Sequence, residues 1–99
     1  MDAEINTSLS QSQAKFALML ERAPYLKPLW DLEKREYIPQ LIDSYLATAS
    51  HGEIIMAKFF LGVWMGKDDF DFDLFDAAST LDSERRKIIV DWFQNPFWP

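Results

Sequence analysis

One segment of this chain leaves little choice about its surroundings: residues 54–65 are apolar throughout except for Lys58. Twelve residues are too few to cross a bilayer, which takes about 20 mostly apolar residues in a helix. A stretch that is apolar on every side must therefore be wrapped on every side by the rest of the chain. Its ends are marked. Ser50-His51-Gly52-Glu53 has the S-x-x-E form of a capping box, and Gly66 is the residue that most readily takes the left-handed turn at a helix end. A central buried helix is the reading; a buried strand is its rival, because periodicity alone cannot type a short apolar run.

The flanking segments have one apolar face each, as a wrapper requires. Ile38, Leu41, Ile42, Tyr45, Leu46 and Ala49 form a stripe of helical period, and Pro39 suits its first turn. Upstream, Ser10 and Gln13 form a second capping pair, and Phe16, Met19, Leu20 and Ala23 follow with the same period up to Pro24. The proline-framed stretch that follows, with charged residues 30–36, reads as a connection with a turn or short helix. Phe70, Leu74, Ala77, Ala78 and Leu81 predict a helix from about Asp71, and Asp82 or Ser83 caps a last helix bearing Ile88, Ile89, Trp92 and Phe93 up to Asn95-Pro96. The expected fold class is all-α, a compact bundle of four to five short helices in a single domain spanning residues 10–99, after a flexible tail over residues 1–9.

Ninety-nine residues support one core, and an apolar fraction of 48% against 26% charged is ordinary globular usage. The absence of cysteine excludes disulfides, thiolate metal sites and cysteine nucleophiles, and fits a reducing, cytoplasmic setting. The acidic start, with no apolar core behind it, does not resemble a secretion signal. A net charge of −6 disfavours phosphate backbones and anionic lipid as partners.

Several motifs fail on inspection. Asp69, Asp71 and Asp73 have the opening spacing of a calcium loop, but Leu74 stands where glycine is needed and Thr80 where a bidentate glutamate would close the shell. His51-Gly52-Glu53 contains the H-x-E of zinc deaminases without the cysteine pair that binds the metal. Gly62 and Gly66 have G-x-x-x-G spacing, which outside a membrane marks close packing or a helix end. Trp92-Phe93-Gln94-Asn95 resembles a tetrapeptide in the recognition helix of homeodomains; that resemblance implies DNA reading, but it covers four residues, and Pro96 follows where arginines should hold phosphates. With one histidine and no glycine-rich phosphate loop, catalytic machinery is not in evidence, and neither a cofactor nor a metal is expected.

What remains is chemistry of contact. Asp68, Asp69, Asp71, Asp73 and Asp76 are interleaved with Phe70, Phe72 and Phe75, and the chain closes on Trp92, Phe97 and Trp98. Acidic residues steer a basic partner and buried rings supply affinity. The expectation is a non-enzymatic protein-interaction module, a small regulator or adaptor that meets a basic protein or a second copy of itself, with Asp68, Asp69, Phe70, Asp71, Phe72, Asp73, Phe75, Trp92, Phe97 and Trp98 as the partner-binding set. The alternative is a helical nucleic-acid-binding domain using Arg85, Arg86 and Lys87.

Overall fold

A computed structural model describes residues 9–99; the tail expected over residues 1–9 therefore lies almost wholly outside the described residues. Five α-helices follow in order: α1 (Gln11–Glu21), α2 (Pro39–Thr48), α3 (His51–Met65), α4 (Leu74–Thr80) and α5 (Ser83–Gln94). The all-α expectation holds, and the strand rival for residues 54–65 falls away. Both capping boxes form. Ser10 Oγ accepts from the Gln13 amide at 3.0 Å while Gln13 Oε1 accepts from the Ser10 amide at 3.0 Å, and Ser50 and Glu53 reciprocate at 3.4 and 3.2 Å. Each box satisfies amides that the first helical turn leaves without partners. At the other end of α3, Gly66 takes the left-handed conformation (φ 72°) and its amide returns to the Gly62 carbonyl at 2.8 Å.

Two connections differ from expectation. Residues 30–36 form neither a plain turn nor a helix: Trp30–Asp31 (β1) and Glu36–Tyr37 (β2) pair antiparallel, with Trp30 opposite Tyr37 and Asp31 opposite Glu36. Asp31 Oδ1 accepts from the Lys34 amide at 3.2 Å and Arg35 takes a left-handed backbone (φ 57°), so side-chain capping closes a hairpin too short for an alternating pattern to reveal. Ahead of it, Pro24–Leu29 forms a 3-10 helix, in which Pro24 needs no amide partner and Leu26 and Leu29 point inward.

α4 also starts later than the apolar spacing predicts, at Leu74 rather than near Asp71. Asp73 is its N-cap, with Oδ1 accepting from the amides of Phe75 (2.9 Å) and Asp76 (3.1 Å). Upstream, Asp68 Oδ1 accepts from the Phe72 amide at 2.8 Å and Asp71 is left-handed (φ 61°). Short carboxylates bond nearby amides in loops more readily than in helix interiors, so the aspartates hold residues 68–73 as a loop.

The core is built on α3, from which Ile55, Met56, Ala57, Phe59, Phe60, Leu61 and Val63 are all buried. Phe16 of α1 sits against it at the centre of an aromatic cluster, with ring centroids 5.7 Å from Phe60, 4.9 Å from Trp64 and 5.1 Å from Trp30. Tilted and edge-on pairs at these separations add to the hydrophobic term for burying such rings. Phe16→Ala is accordingly expected to destabilise the fold by about 3–5 kcal/mol in urea unfolding, whereas Leu18→Ala, two residues along and 70% exposed, should change it by less than about 0.5 kcal/mol.

Candidate functional site

The residues singled out in the sequence separate into two groups. Asp68, Phe72, Trp92 and Trp98 come together around a groove of about 270 Å³ that runs along one side of α3, with Phe59, Gly62 and Val63 as its floor. The rings that line it touch in series: Phe59 lies 5.5 Å from Phe72 and 5.7 Å from Trp92, and Trp92 lies 5.9 Å from Trp98. Lys58 stands at one end; Gly66, Lys67 and Asp68 stand at the other. Phe75 is not part of it. It projects from α4 with 83% of its surface exposed, while Phe70 is half-buried against Tyr37 (6.4 Å between centroids).

The C-terminal segment makes the outer wall. Trp92 Nε1 donates to the Phe97 carbonyl at 3.0 Å, which folds residues 95–98 back beside α5. Phe97 and Trp92 then face a second groove, of about 280 Å³, completed by Leu18 and Met19 of α1 and Ile88 of α5. Its edge is tied by ions: Asp91 bridges Arg22 of α1 at 3.0 Å and Lys87 of α5 at 3.1 Å.

Most of the aspartates turn out to have local tasks. Asp68 and Asp73 bond the amides already described, Asp69 pairs with Lys67 at 3.4 Å, and Asp76 binds His51 Nε2 at 2.8 Å through one oxygen and Thr80 Oγ1 at 3.2 Å through the other. Only Asp71 of the five has no bonded or ion-pair partner among the described residues. The His51–Asp76 contact joins the start of α3 to α4, a pairing that sequence separation hides. Asp76 is held below the usual carboxylate range chiefly by the hydrogen bond from His51, assisted by Thr80.

The basic cluster is engaged as well. The Arg85 guanidinium lies 5.2 Å from the centre of the Tyr25 ring, Arg86 donates to the Leu81 carbonyl, and Lys87 pairs with Asp91. Each of the three cations of the nucleic-acid alternative thus has a partner within the chain. Below Arg85, the hydroxyls of Tyr25 and Tyr45 are buried without a protein hydrogen-bond partner. Burial raises both above the ordinary tyrosine value, Tyr45 to about 12 with further help from Glu53.

Among the described residues no group of three or more His, Cys, Asp or Glu side chains is placed to hold a metal ion, and no helix is long and apolar enough to cross a membrane. No protein-family model, curated protein or solved structure matches the chain.

Two features escaped the sequence reading. Lys58, Phe59 and Gly62 belong to the segment that reads simply as core, and the single charge in that segment was the signal that one side of it meets solvent. Phe93 is 77% exposed although its spacing with Ile89 reads as part of the buried stripe.

The ionic edge yields a pH prediction. Asp91 is held below its usual value by hydrogen bonds from Lys87 and then Arg22. A carboxyl lowered in the folded state adds stability above its unfolded value, and that contribution is lost as pH falls through the lowered folded value. Asp91→Asn should therefore flatten the acid limb of a plot of Tm against pH; superimposable acid limbs would contradict the bridge.

Proposed function

We propose that the chain is a non-enzymatic protein-binding module, a small acidic regulator or adaptor of the cytoplasm that meets its partner through its C-terminal half. The observation that carries this reading is the exposure of three large rings in the last quarter of the chain: Phe75 at 83%, Phe93 at 77% and Trp98 at 61%. Scattered exposed leucines are ordinary. Exposed aromatics are less so, because each forgoes a large burial energy, and rings are the side chains that anchor protein interfaces. Leu74 beside Phe75, and Val90 beside Phe93, widen the apolar surface at both places (59% and 49% exposed).

Charge selects the class of partner. The chain carries −6 and Asp71 is uncommitted, so a basic surface is drawn in while a second copy docked on the same face meets like charge. Phe70, Phe72 and Phe97 are largely occupied in internal packing and serve to support the surface rather than to anchor a partner.

The test is affinity purification with the intact chain from its native cell, repeated with the double variant Phe75→Ser, Phe93→Ser. A partner held by the parent chain should be lost by the variant at unchanged Tm, with each ring worth about 2 kcal/mol of binding if it is an anchor. Its association rate should fall severalfold between low and physiological salt. A strictly monomeric chain that retains nothing, or equal retention by both forms, would overturn the reading.

A further inference from the structure

We propose that the aromatic groove along α3 is a binding site for a small apolar carboxylic acid, seated with its hydrocarbon body on Phe59, Phe72, Trp92 and Trp98 and its carboxylate toward Lys58. This goes beyond partner binding and does not rest on it: of the three exposed rings behind that reading, Phe75 and Phe93 lie outside the groove and only Trp98 is shared.

Shape sets the first condition. At about 270 Å³ the groove is slightly smaller than the usual small-molecule site, and like such sites it is mostly apolar with a few polar groups at its ends. It follows α3 from Lys58 to Gly66, eight residues or about 12 Å at the helical rise, so it suits an elongated molecule.

Charge sets the direction. Lys58 is the one charged side chain in residues 54–65, it is half-buried, and it has no carboxylate within ion-pair distance among the described residues. Asp76 is near enough to feel the Lys58 charge but makes no direct bond to it, its two oxygens holding His51 (2.8 Å) and Thr80 (3.2 Å). An ammonium that makes no direct ion pair keeps its donors free, and a ligand carboxylate brought along the groove can accept from them. At the opposite end Lys67 is neutralised by Asp69 at 3.4 Å and Asp68 adds a negative charge. The groove thus offers a cation free of any direct ion pair at the Lys58 end only, and a ligand with one carboxylate and an apolar body has a single favourable orientation. Trp98 closes the far end over Gly66, where a Cβ would stand 3.6 Å from the indole. A cationic amphiphile fits the rings equally well but brings like charge to Lys58. The net charge of −6 slows an anion's approach without removing the contacts made on arrival, most of which are apolar.

The site is tested by titrating the intact chain with decanoate, decanol and decyltrimethylammonium below their micelle concentrations while following the four indole N–H resonances by NMR. Saturable shifts are expected at Trp92 and Trp98 and not at Trp30 or Trp64. Decanoate should bind roughly two- to fivefold more tightly than decanol, the span of a partly exposed ion pair, and the trimethylammonium compound weakest. Lys58→Met, which keeps an apolar stem, should make acid and alcohol equal, Lys58→Arg should keep the preference, and Trp98→Ala should weaken both. Absence of saturable shifts at Trp92 and Trp98, equal binding of acid and alcohol by the parent chain, or an unchanged preference in Lys58→Met would each overturn the assignment. The comparison of acid with alcohol in the parent chain decides the matter even if a variant fails to fold.

Discussion

Everything in this fold answers to α3. A helix with buried residues at seven of its fifteen positions has no solvent face broad enough to lie on a surface, so the other elements are arranged as its cover. None of them has enough apolar area to be a core of its own. α1 contributes Phe16, Met19 and Leu20, α2 only Ile42 at full burial, α4 only Ala77 and α5 only Ile88. These short helices bury one ridge each and would be marginal alone, since the stability of such helices comes from packing rather than from propensity.

Aromatic rings do much of the covering, and they form one connected path. From Trp98 the contacts run to Trp92, Phe59, Phe60, Phe16 and then Trp64 and Trp30, each pair within about 6 Å. The C-terminal segment is therefore continuous with the deepest part of the core, and the hydrogen bond from Trp92 Nε1 to the Phe97 carbonyl fixes the last step. Large rings leave gaps when they pack around a cylinder. The two grooves flanking Trp92 are those gaps, one on the α3 side and one on the α1 side.

Elements governed by nearest neighbours were legible in the sequence. The Ser10 and Ser50 boxes, Pro39 at the start of α2, Gly66 at the end of α3 and Asp82 at the start of α5 all act within four residues, so spacing reveals them. The hairpin at residues 30–37 was not, because two-residue strands carry no alternation to read. Residues 68–73 misled for a different reason: apolar helical spacing and aspartates competing for backbone amides pointed to opposite structures, and the amide bonds to Asp68 and Asp73 prevailed. The same competition reduces what the acidic run offers a partner, since carboxylates that cap a loop are already half satisfied.

The candidate site was harder to read because it is assembled from three segments that are remote in sequence. Trp92 and Trp98 were marked by their size and Asp68 and Phe72 by their composition, but the floor they share, Phe59, Gly62 and Val63, looked like the rest of an apolar helix. Lys58 was the exception in plain view. A lysine inside such a run must either reach solvent along its stem or meet a counter-charge, and its ammonium can do so only where the wrapping is incomplete. Incomplete wrapping on that side is what the aromatic walls produce: rings too bulky to close over α3 leave a channel with the helix's one lysine among its lining residues. The feature that makes α3 the centre of the fold therefore also determines where the fold stays open.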